Sequence, residues 1–172
     1  MLAFCGQDKV LIDANGRVKL PPKLIEDFDA HGGSEIVLYC LPEGAVALYP
    51  EEVFRAMRDR AADAVREAGA SIVKRRDFRR FGAWSCAGSI TGQGRLTLPE
   101  AFRAPTLLQP GTEAVIVGVE IGAEIWNLER WRSELELIQQ HEVNRGNMEM
   151  AQALLPNAGA QETNSATERV KS

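Results

Sequence analysis

The feature that most constrains this fold is a ten-residue motif that the chain carries twice. Residues 12–21 and 90–99 share Ile, Gly-Arg, an aliphatic residue, Leu and Pro in the same order, and Gly16 corresponds to Gly94 at an offset of 78 residues. The similarity continues at an offset of 77 residues with matching aromatic pairs, Tyr49 and Phe54 in the first copy and Trp126 and Trp131 in the second. A repeat of this length is a whole structural unit of roughly eighty residues. The fold must therefore accommodate two copies of one unit, with one insertion or deletion between them.

Length and composition describe an ordinary globular chain. It has 172 residues, of which 45% are apolar and 26% charged, which suits a single domain with its own core. Apolar runs such as residues 36–41 fall far short of the roughly 20 residues of a membrane span, and residues 1–9 lack the basic start and apolar segment of a secretion signal. Three scattered cysteines and two histidines favour neither a disulfide framework nor a zinc site. The chain is predicted to be cytoplasmic and to need no metal or cofactor.

Basic residues concentrate in one stretch, although the net charge is −4. Residues 72–103 contain seven basic side chains and two acidic ones. Residues 74–80, with the sequence KRRDFRR, also suit a solvated helix face, and that interpretation stays open. Because the same stretch contains Arg95 of the repeated motif, the pattern favours an anionic partner.

Each unit is predicted to contain a β-hairpin, a short helix, two strands and a longer helix. In the first turn Asn15-Gly16 tolerates positive φ, and Pro50 with the two acids after it suits a helix start. The predicted strands are residues 9–12, 17–20, 35–41, 45–49, 87–91, 95–98, 114–119 and 124–126. The predicted helices are residues 23–28, 50–68 (interrupted at Gly69), 72–81, 99–104 (followed by a loop at 105–111) and one that Asn127 caps and that continues through Ile138. Apolar content falls after Met150, so residues 151–172 are predicted to be a disordered tail.

The ordered motifs resemble the MraZ family, whose chains carry two AbrB/SpoVT-type swapped-hairpin units. The matching features span about residues 4–135 and are Phe4-x-Gly6, Asp13-x-x-x-Arg17 with Leu20-Pro21, Leu48-Tyr49-Pro50 with Phe54, Arg75-Arg76-x-Phe78, Gly94-Arg95 with Leu98-Pro99 and Arg103, and Ile125-Trp126 with Trp131. The resemblance implies a β-rich α+β fold, in which the two swapped-hairpin units form an intrachain pseudo-twofold, double-ψ-like β-barrel with flanking helices. It implies that residues 4–81 are the first unit with a linker helix, and that residues 82–150 are the second.

The chain departs from the family pattern at two positions. Thr91 stands where the second motif would have Asp, so the Asp-x-x-x-Arg pattern is complete only in the first copy. Ile25 stands where many members have Arg after Leu-Pro, whereas Arg103 keeps that residue in the second copy. The two units are therefore expected to contribute unequally.

The resemblance implies a DNA-binding transcriptional regulator that acts on repeated sites upstream of the division and cell-wall gene cluster. It would work in the cytoplasm at the nucleoid, as a ring-shaped homo-oligomer with double-stranded DNA and copies of itself as partners, and without a membrane or a small-molecule substrate. Arg17 and Arg95 would grip phosphate or a guanine edge, and Asp13 would orient Arg17. The predicted phosphate contacts are Lys19, Lys23 and Arg103.

Other interpretations remain open at the level of sequence. Asp13 and Arg17 also suit a structural hairpin clamp, and the basic side chains also suit solvated charge. An antitoxin-like, protein-binding module would use the same fold, although the duplication disfavours it. An enzyme is not expected, because Ser85 and Cys86 have no histidine or acidic partner at a recognisable spacing. A helix face with Leu128, Trp131 and Leu135 suits either intrachain packing or a subunit contact.

Overall fold

The computed structural model describes residues 2–58 and 61–155, which form an α+β fold. The strands assigned in these residues are β1 (Gln7–Leu11), β2 (Arg17–Lys19), β3 (Glu35–Cys40), β4 (Val46–Pro50), β5 (Ser85–Ser89), β6 (Arg95–Thr97), β7 (Glu113–Gly118) and β8 (Ala123–Asn127). The helices are α1 (Pro22–Ala30), α2 (Glu51–Arg58), α3 (Ala61–Ala70), α4 (Ile72–Ala83), α5 (Glu100–Thr106) and α6 (Leu128–Leu154). The order of elements repeats as predicted, with α3 and α4 added between the two copies.

Strand pairing is antiparallel in the described residues; β3–β4 and β7–β8 pair within a copy, and the other four pairs join one copy to the other. Six strands form a sheet in the order β1-β7-β8-β4-β3-β5, and β2 and β6 form a separate two-stranded ladder. The register follows the repeat, because Val18 faces Leu96 and Ala47 faces Glu124, which are the positions that the repeat makes equivalent. Likewise β1 pairs with β7 of the second copy as β5 pairs with β3 of the first. Both sheets therefore contain strands of both copies, in a twofold-like pattern.

Each motif forms a tight turn with little local pairing, and its second strand pairs mainly with the other copy. In the first turn the Gly16 N–H donates to the Asp13 carbonyl over 3.0 Å, and in the second the Gly94 N–H donates to the Thr91 carbonyl over 2.7 Å. Both glycines have φ of +72°, which L side chains rarely adopt. Beyond the turn, local pairing in the first motif is a single bridge between Ile12 and Val18. The prediction that residues 17–20 return beside residues 9–12 is therefore confirmed only at this bridge and at the bond from the Asp13 N–H to the Arg17 carbonyl, because β2 pairs over its length with β6.

The core lies where the two copies meet. It contains equivalent motif residues from both copies, each with little or no solvent exposure, namely Ile12, Val18 and Leu20 from the first and Ile90, Leu96 and Leu98 from the second. Phe28 of α1 and Phe102 of α5 join the same cluster. The single insertion lies in the loop between the last two strands of each copy, which is residues 41–45 in one and 119–122 in the other. Neither copy has a core of its own that excludes the other.

Helix ends differ from the sequence prediction in two places. Helix α5 continues through Pro105, which was predicted to open a loop, and its last turn is closed by Thr106, whose Oγ1 donates to the Phe102 carbonyl over 2.6 Å. Helix α3 passes through Gly69 and ends one residue later. Helix α4 then begins, as predicted, at Ile72, with the Ser71 hydroxyl accepting from the Lys74 N–H.

Helix α6 extends further than the sequence predicted. The side chain of Asn127 caps it as expected, accepting from the Glu129 and Arg130 N–H groups over 3.0 and 3.2 Å. It ends at Leu154, so residues 151–154 of the predicted tail are helical, while residues 156–172 lie outside the described part of the chain. The boundary between two compact units falls inside this helix, between Arg132 and Ser133. Among the described helices, none is long and apolar enough to cross a membrane.

Candidate nucleic-acid interface

The β2–β6 ladder has one buried face and one charged face. Its central pair, Val18 and Leu96, is 0% and 1% exposed and faces the core. The alternate positions point outward, with Arg17 opposite Thr97 and Lys19 opposite Arg95. This strand face, which we call the cationic ladder, presents three cations and one hydroxyl over a span of three residues per strand.

The first turn holds Arg17 by means of a carboxylate. Asp13 Oδ1 accepts from the N–H groups of Asn15 and Arg17 over 2.8 and 2.9 Å, and Oδ2 accepts from Arg17 Nε over 3.1 Å. The N–H of Arg17 lowers the pKa of the Asp13 carboxyl most; burial opposes the shift, and the Asn15 N–H and the guanidinium reinforce it. Asp13 thus closes the turn and fixes the base of the Arg17 guanidinium, so the predicted ion pair is present.

The second turn has only part of this arrangement. Thr91 Oγ1 accepts from the Arg95 N–H over 3.1 Å, which replaces one of the three bonds that Asp13 makes. A hydroxyl carries no charge and has a single oxygen, so it provides no ion pair for a guanidinium. Arg95 is exposed, and its guanidinium makes no ion pair or hydrogen bond among those assigned in residues 2–58 and 61–155.

Each turn also accepts a hydrogen bond from a cation of the other copy. Arg103 donates through Nε and Nη2 to the Leu98 carbonyl over 3.0 and 2.8 Å, and through Nη2 to the Asn15 carbonyl over 3.4 Å. At the other turn, Lys19 Nζ donates to the carbonyl of Gln93, the residue equivalent to Asn15. Arg103 and Lys19, predicted from sequence as phosphate contacts, therefore also join the two copies.

Side chains that follow the Leu-Pro motif cover the two turn glycines. The guanidinium of Arg103 lies against Gly16, and its equivalent Ile25 lies against Gly94 through Cδ1. The departure noted in the sequence thus replaces a cation by an apolar contact at the second turn. It removes one positive charge from that end of the cationic ladder.

Lys23 lies on α1 and is engaged with its own helix. Its Nζ contacts Asp27 Oδ2 over 3.0 Å, and the same oxygen accepts from the Phe4 N–H over 2.9 Å. Burial alone would raise the pKa of Asp27, but these two hydrogen bonds outweigh it and lower the pKa, while the bond to Asp27 raises the pKa of Lys23. Lys23 is about half exposed, so part of its charge still faces solvent.

Part of the basic segment in α4 serves packing rather than a surface patch. Arg80 Nη2 donates to the Cys40 carbonyl over 3.0 Å, and Phe81 stacks near Tyr39 and Phe54 with ring centroids 5.0 and 5.1 Å apart. Arg58 of α2 lies over the Phe81 ring at 3.3 Å. Other basic residues of the helix, Arg76 and Arg79, are exposed.

The sequence prediction missed Thr97, which completes the outer face opposite Arg17. The 78-residue offset makes it the equivalent of Lys19, and this was the available signal. Within the described residues, no group of three or more His, Cys, Asp or Glu side chains could hold a metal ion. Burial raises the pKa of both Cys40 and Cys86, which disfavours thiolate chemistry there.

These features define a duplicated α+β module with its outward cations gathered where the two copies pair.

Comparison with known proteins supplies the family. The family model described as "MraZ protein, putative antitoxin-like" matches residues 89–153. Three proteins named transcriptional regulator MraZ are similar over most of the chain. The one from Thermomicrobium roseum is 32% identical over 136 residues, covering 78% of this chain and 89% of its own length. That from Arthrobacter sp. (strain FB24) is 31% identical over 133 residues, covering 77% and 87%. That from Bifidobacterium longum is 30% identical over 146 residues, covering 84% and 87%.

The chain therefore belongs to the MraZ family, and the resemblance predicted from the paired motifs is confirmed. The relatives are named as transcriptional regulators rather than as enzymes. The matches to the three relatives cover more than three quarters of this chain and most of each relative's length.

Proposed function

We propose that this chain is a sequence-specific regulator of transcription that binds double-stranded DNA with the cationic ladder. The observation that carries the proposal is the arrangement of Arg17, Lys19 and Arg95 on one exposed strand face, directly above the buried pair Val18 and Leu96. The names of the relatives, all transcriptional regulators, support the same function.

The geometry suits DNA for three reasons. A two-stranded β-ribbon fits the major groove, where an arginine can pair in bidentate fashion with guanine O6 and N7. Lys19 stands directly opposite Arg95 in the ladder, so these two cations can engage neighbouring phosphates. Arg103 would add a phosphate contact beside the first turn and Lys23 one on α1, through donors that their internal hydrogen bonds leave free.

Several finer features belong to the same proposal. The exchange of strands between the copies would form two swapped-hairpin units that close into a double-ψ-like barrel. The regulator would act in the cytoplasm at the nucleoid, on repeated sites upstream of the division and cell-wall gene cluster. Because each chain offers few cations, a homo-oligomeric ring on repeated sites would supply tight binding through multivalency.

The test is fluorescence anisotropy on the protein's own upstream DNA and on scrambled DNA, over a salt series. Wild type should prefer the upstream DNA and lose affinity steeply with salt, with a log–log slope of about −0.9 for each phosphate engaged. Arg17→Ala and Arg95→Ala should weaken binding, whereas the control Arg55→Ala removes the same charge from an exposed ion pair on α2 and should bind as wild type does. Equal, weak binding of both DNAs by all four proteins would refute the proposal.

An antitoxin-like or other protein-binding role is the second candidate. It is favoured by exposed apolar side chains on α6, including Leu137, Val143, Met148 and Met150 at 58–65% exposure. The family description also contains the words antitoxin-like. The refuting result of the anisotropy experiment, together with a stable complex with another protein that Leu137→Ser disrupts, would favour this function.

A further inference from the structure

The two arginines of the cationic ladder differ in how their guanidinium groups are held. Arg17 donates through Nε to Asp13, and its side chain is 35% exposed. In the second copy the position of Asp13 is occupied by Thr91, which accepts a hydrogen bond only from the Arg95 backbone N–H. Asp13 is the single carboxylate in the two turn sequences, DANG and TGQG. The same motif therefore presents one oriented and one free arginine.

We infer that the two copies divide the work of DNA recognition: Arg17 reads a base, Asp13 is its positioning residue, and Arg95 with Lys19 grips the phosphate backbone. This inference rests on the proposed function. It predicts that the DNA site of one chain has unequal halves, although the core that carries the ladder is symmetric.

The ion pair leaves Arg17 with the donors that base recognition needs. Because Nε–H is engaged by Asp13 Oδ2 over 3.1 Å, the outward donors are Nη1 and Nη2. Those two groups form the parallel pair that matches guanine O6 and N7. Holding the side chain before DNA arrives also reduces the rotamer entropy lost on binding. Base discrimination by such a pair is roughly 5- to 150-fold.

The second turn has the opposite character. Lys19 lies across the ladder from Arg95, and the turn before Arg95 contains no carboxylate. No acidic side chain of that turn therefore offsets the positive charge of these two residues. A flexible arginine can follow a phosphate in many rotamers, which gives affinity without sequence preference. Ile25 lies against Gly94, where the first turn has Arg103 against Gly16. The second turn therefore has no cation equivalent to Arg103.

The test measures base preference and affinity separately. Wild type and variants are incubated with a library of DNA duplexes randomised across the site, bound fractions are sequenced, and affinities for the selected DNA are measured over a salt series. Wild type should show preference concentrated at one half of the site. Arg17→Ala should flatten that preference, whereas Arg95→Ala should keep it while weakening all sequences alike and reducing the salt slope by about one.

Two variants address the positioning role without removing an arginine. Asp13→Asn keeps the oxygen that accepts from the turn N–H groups but removes the carboxylate charge that pairs with Arg17. The base preference should therefore weaken, while the melting temperature should change little. Thr91→Asp installs the carboxylate beside Arg95, and preference should appear in the second half of the site. A change that creates preference has no explanation in folding stability alone.

The outcomes separate this inference from the proposed function. Preference that is equal in both halves, or that Arg95→Ala flattens as much as Arg17→Ala does, overturns the division of work while leaving a DNA-binding regulator in place. A wild-type protein that selects no sequence from the library overturns both. Unequal halves together with a gain of preference in Thr91→Asp support it.

Discussion

Substitution of Gly16 by alanine tests how the two copies are locked together at the cationic ladder. Gly16 has φ of +72°, and a Cβ there would lie 2.6 Å from Arg103 Nε and closer still to Cζ and Nη2 of the same guanidinium. Arg103 would have to leave, and it would give up its hydrogen bonds to the Leu98 and Asn15 carbonyls. The change thus acts on the backbone of one copy and on a side chain of the other.

The expected cost has two parts. A left-handed conformation costs an L residue about 1–2 kcal/mol. Displacing Arg103 forfeits hydrogen bonds from a charged donor, which are worth about 1–2 kcal/mol net at this partly exposed site. The sum of about 2–4 kcal/mol corresponds to a fall in melting temperature of about 4–16 °C for a chain of this size.

The assay is urea denaturation followed by circular dichroism, with Gly92→Ala as the matched control. Gly92 occupies the position that Ala14 has in the first turn; its φ is not positive, and nothing lies within 4 Å of an added Cβ. It should change stability by less than about 0.5 kcal/mol. In an Arg103→Ala background, Gly16→Ala should cost only the conformational part, about 1–2 kcal/mol.

Two results would refute this reasoning. An equal cost of Gly16→Ala in both backgrounds would show that the guanidinium contact does not matter. A cost no larger than that of Gly92→Ala would show that the turn tolerates a side chain at positive φ.

Three further predictions follow from burial and charge. Leu96→Ala should lower the free energy of unfolding by about 2–5 kcal/mol, because the side chain is 1% exposed beneath the ladder, and denaturation would measure this. Maleimide labelling with mass spectrometry at pH 7 should modify exposed Cys5 quickly and buried Cys40 only after unfolding, since burial raises the Cys40 pKa; equal labelling rates would contradict this. Asp27→Asn should be less stable than wild type at neutral pH, because the lowered pKa of Asp27 stabilises the fold above its unfolded pKa. That difference should shrink below about pH 4 as Asp27 protonates and releases Lys23, and a difference independent of pH would exclude this ion pair as the cause.

The sequence predicted most elements but not the partners of the short strands. Alternation in residues 17–20 correctly places Val18 inward, because side chains alternate between the faces of a strand. It contains no information about which strand lies alongside, and apart from the bridge between Ile12 and Val18 the partner of β2 is β6. Only the repeat, through the equivalence of Val18 and Leu96, indicates that pairing.

The candidate site was predictable to the same extent. The ion pair of Asp13 and Arg17 is local, four residues apart across a turn, so spacing predicts it. Arg103 reaches the Asn15 carbonyl 88 residues away, and no local pattern specifies such a contact. Similarly, α6 continues past Met150 to Leu154, so the decline in apolar content was a poor guide to its end.

Duplication within one chain permits a division of work that a symmetric dimer does not. In a dimer of identical units, replacing Asp13 by Thr would alter both turns together. In this chain the buried equivalents remain alike, as with Val18 and Leu96, while the exposed ones differ, as with Lys19 and Thr97. The core thus keeps the twofold-like pairing that stabilises the ladder, and the outer face is free to differ between its halves. A single chain can in this way match an asymmetric sequence of bases. It needs no second gene for this, and it keeps the shared core.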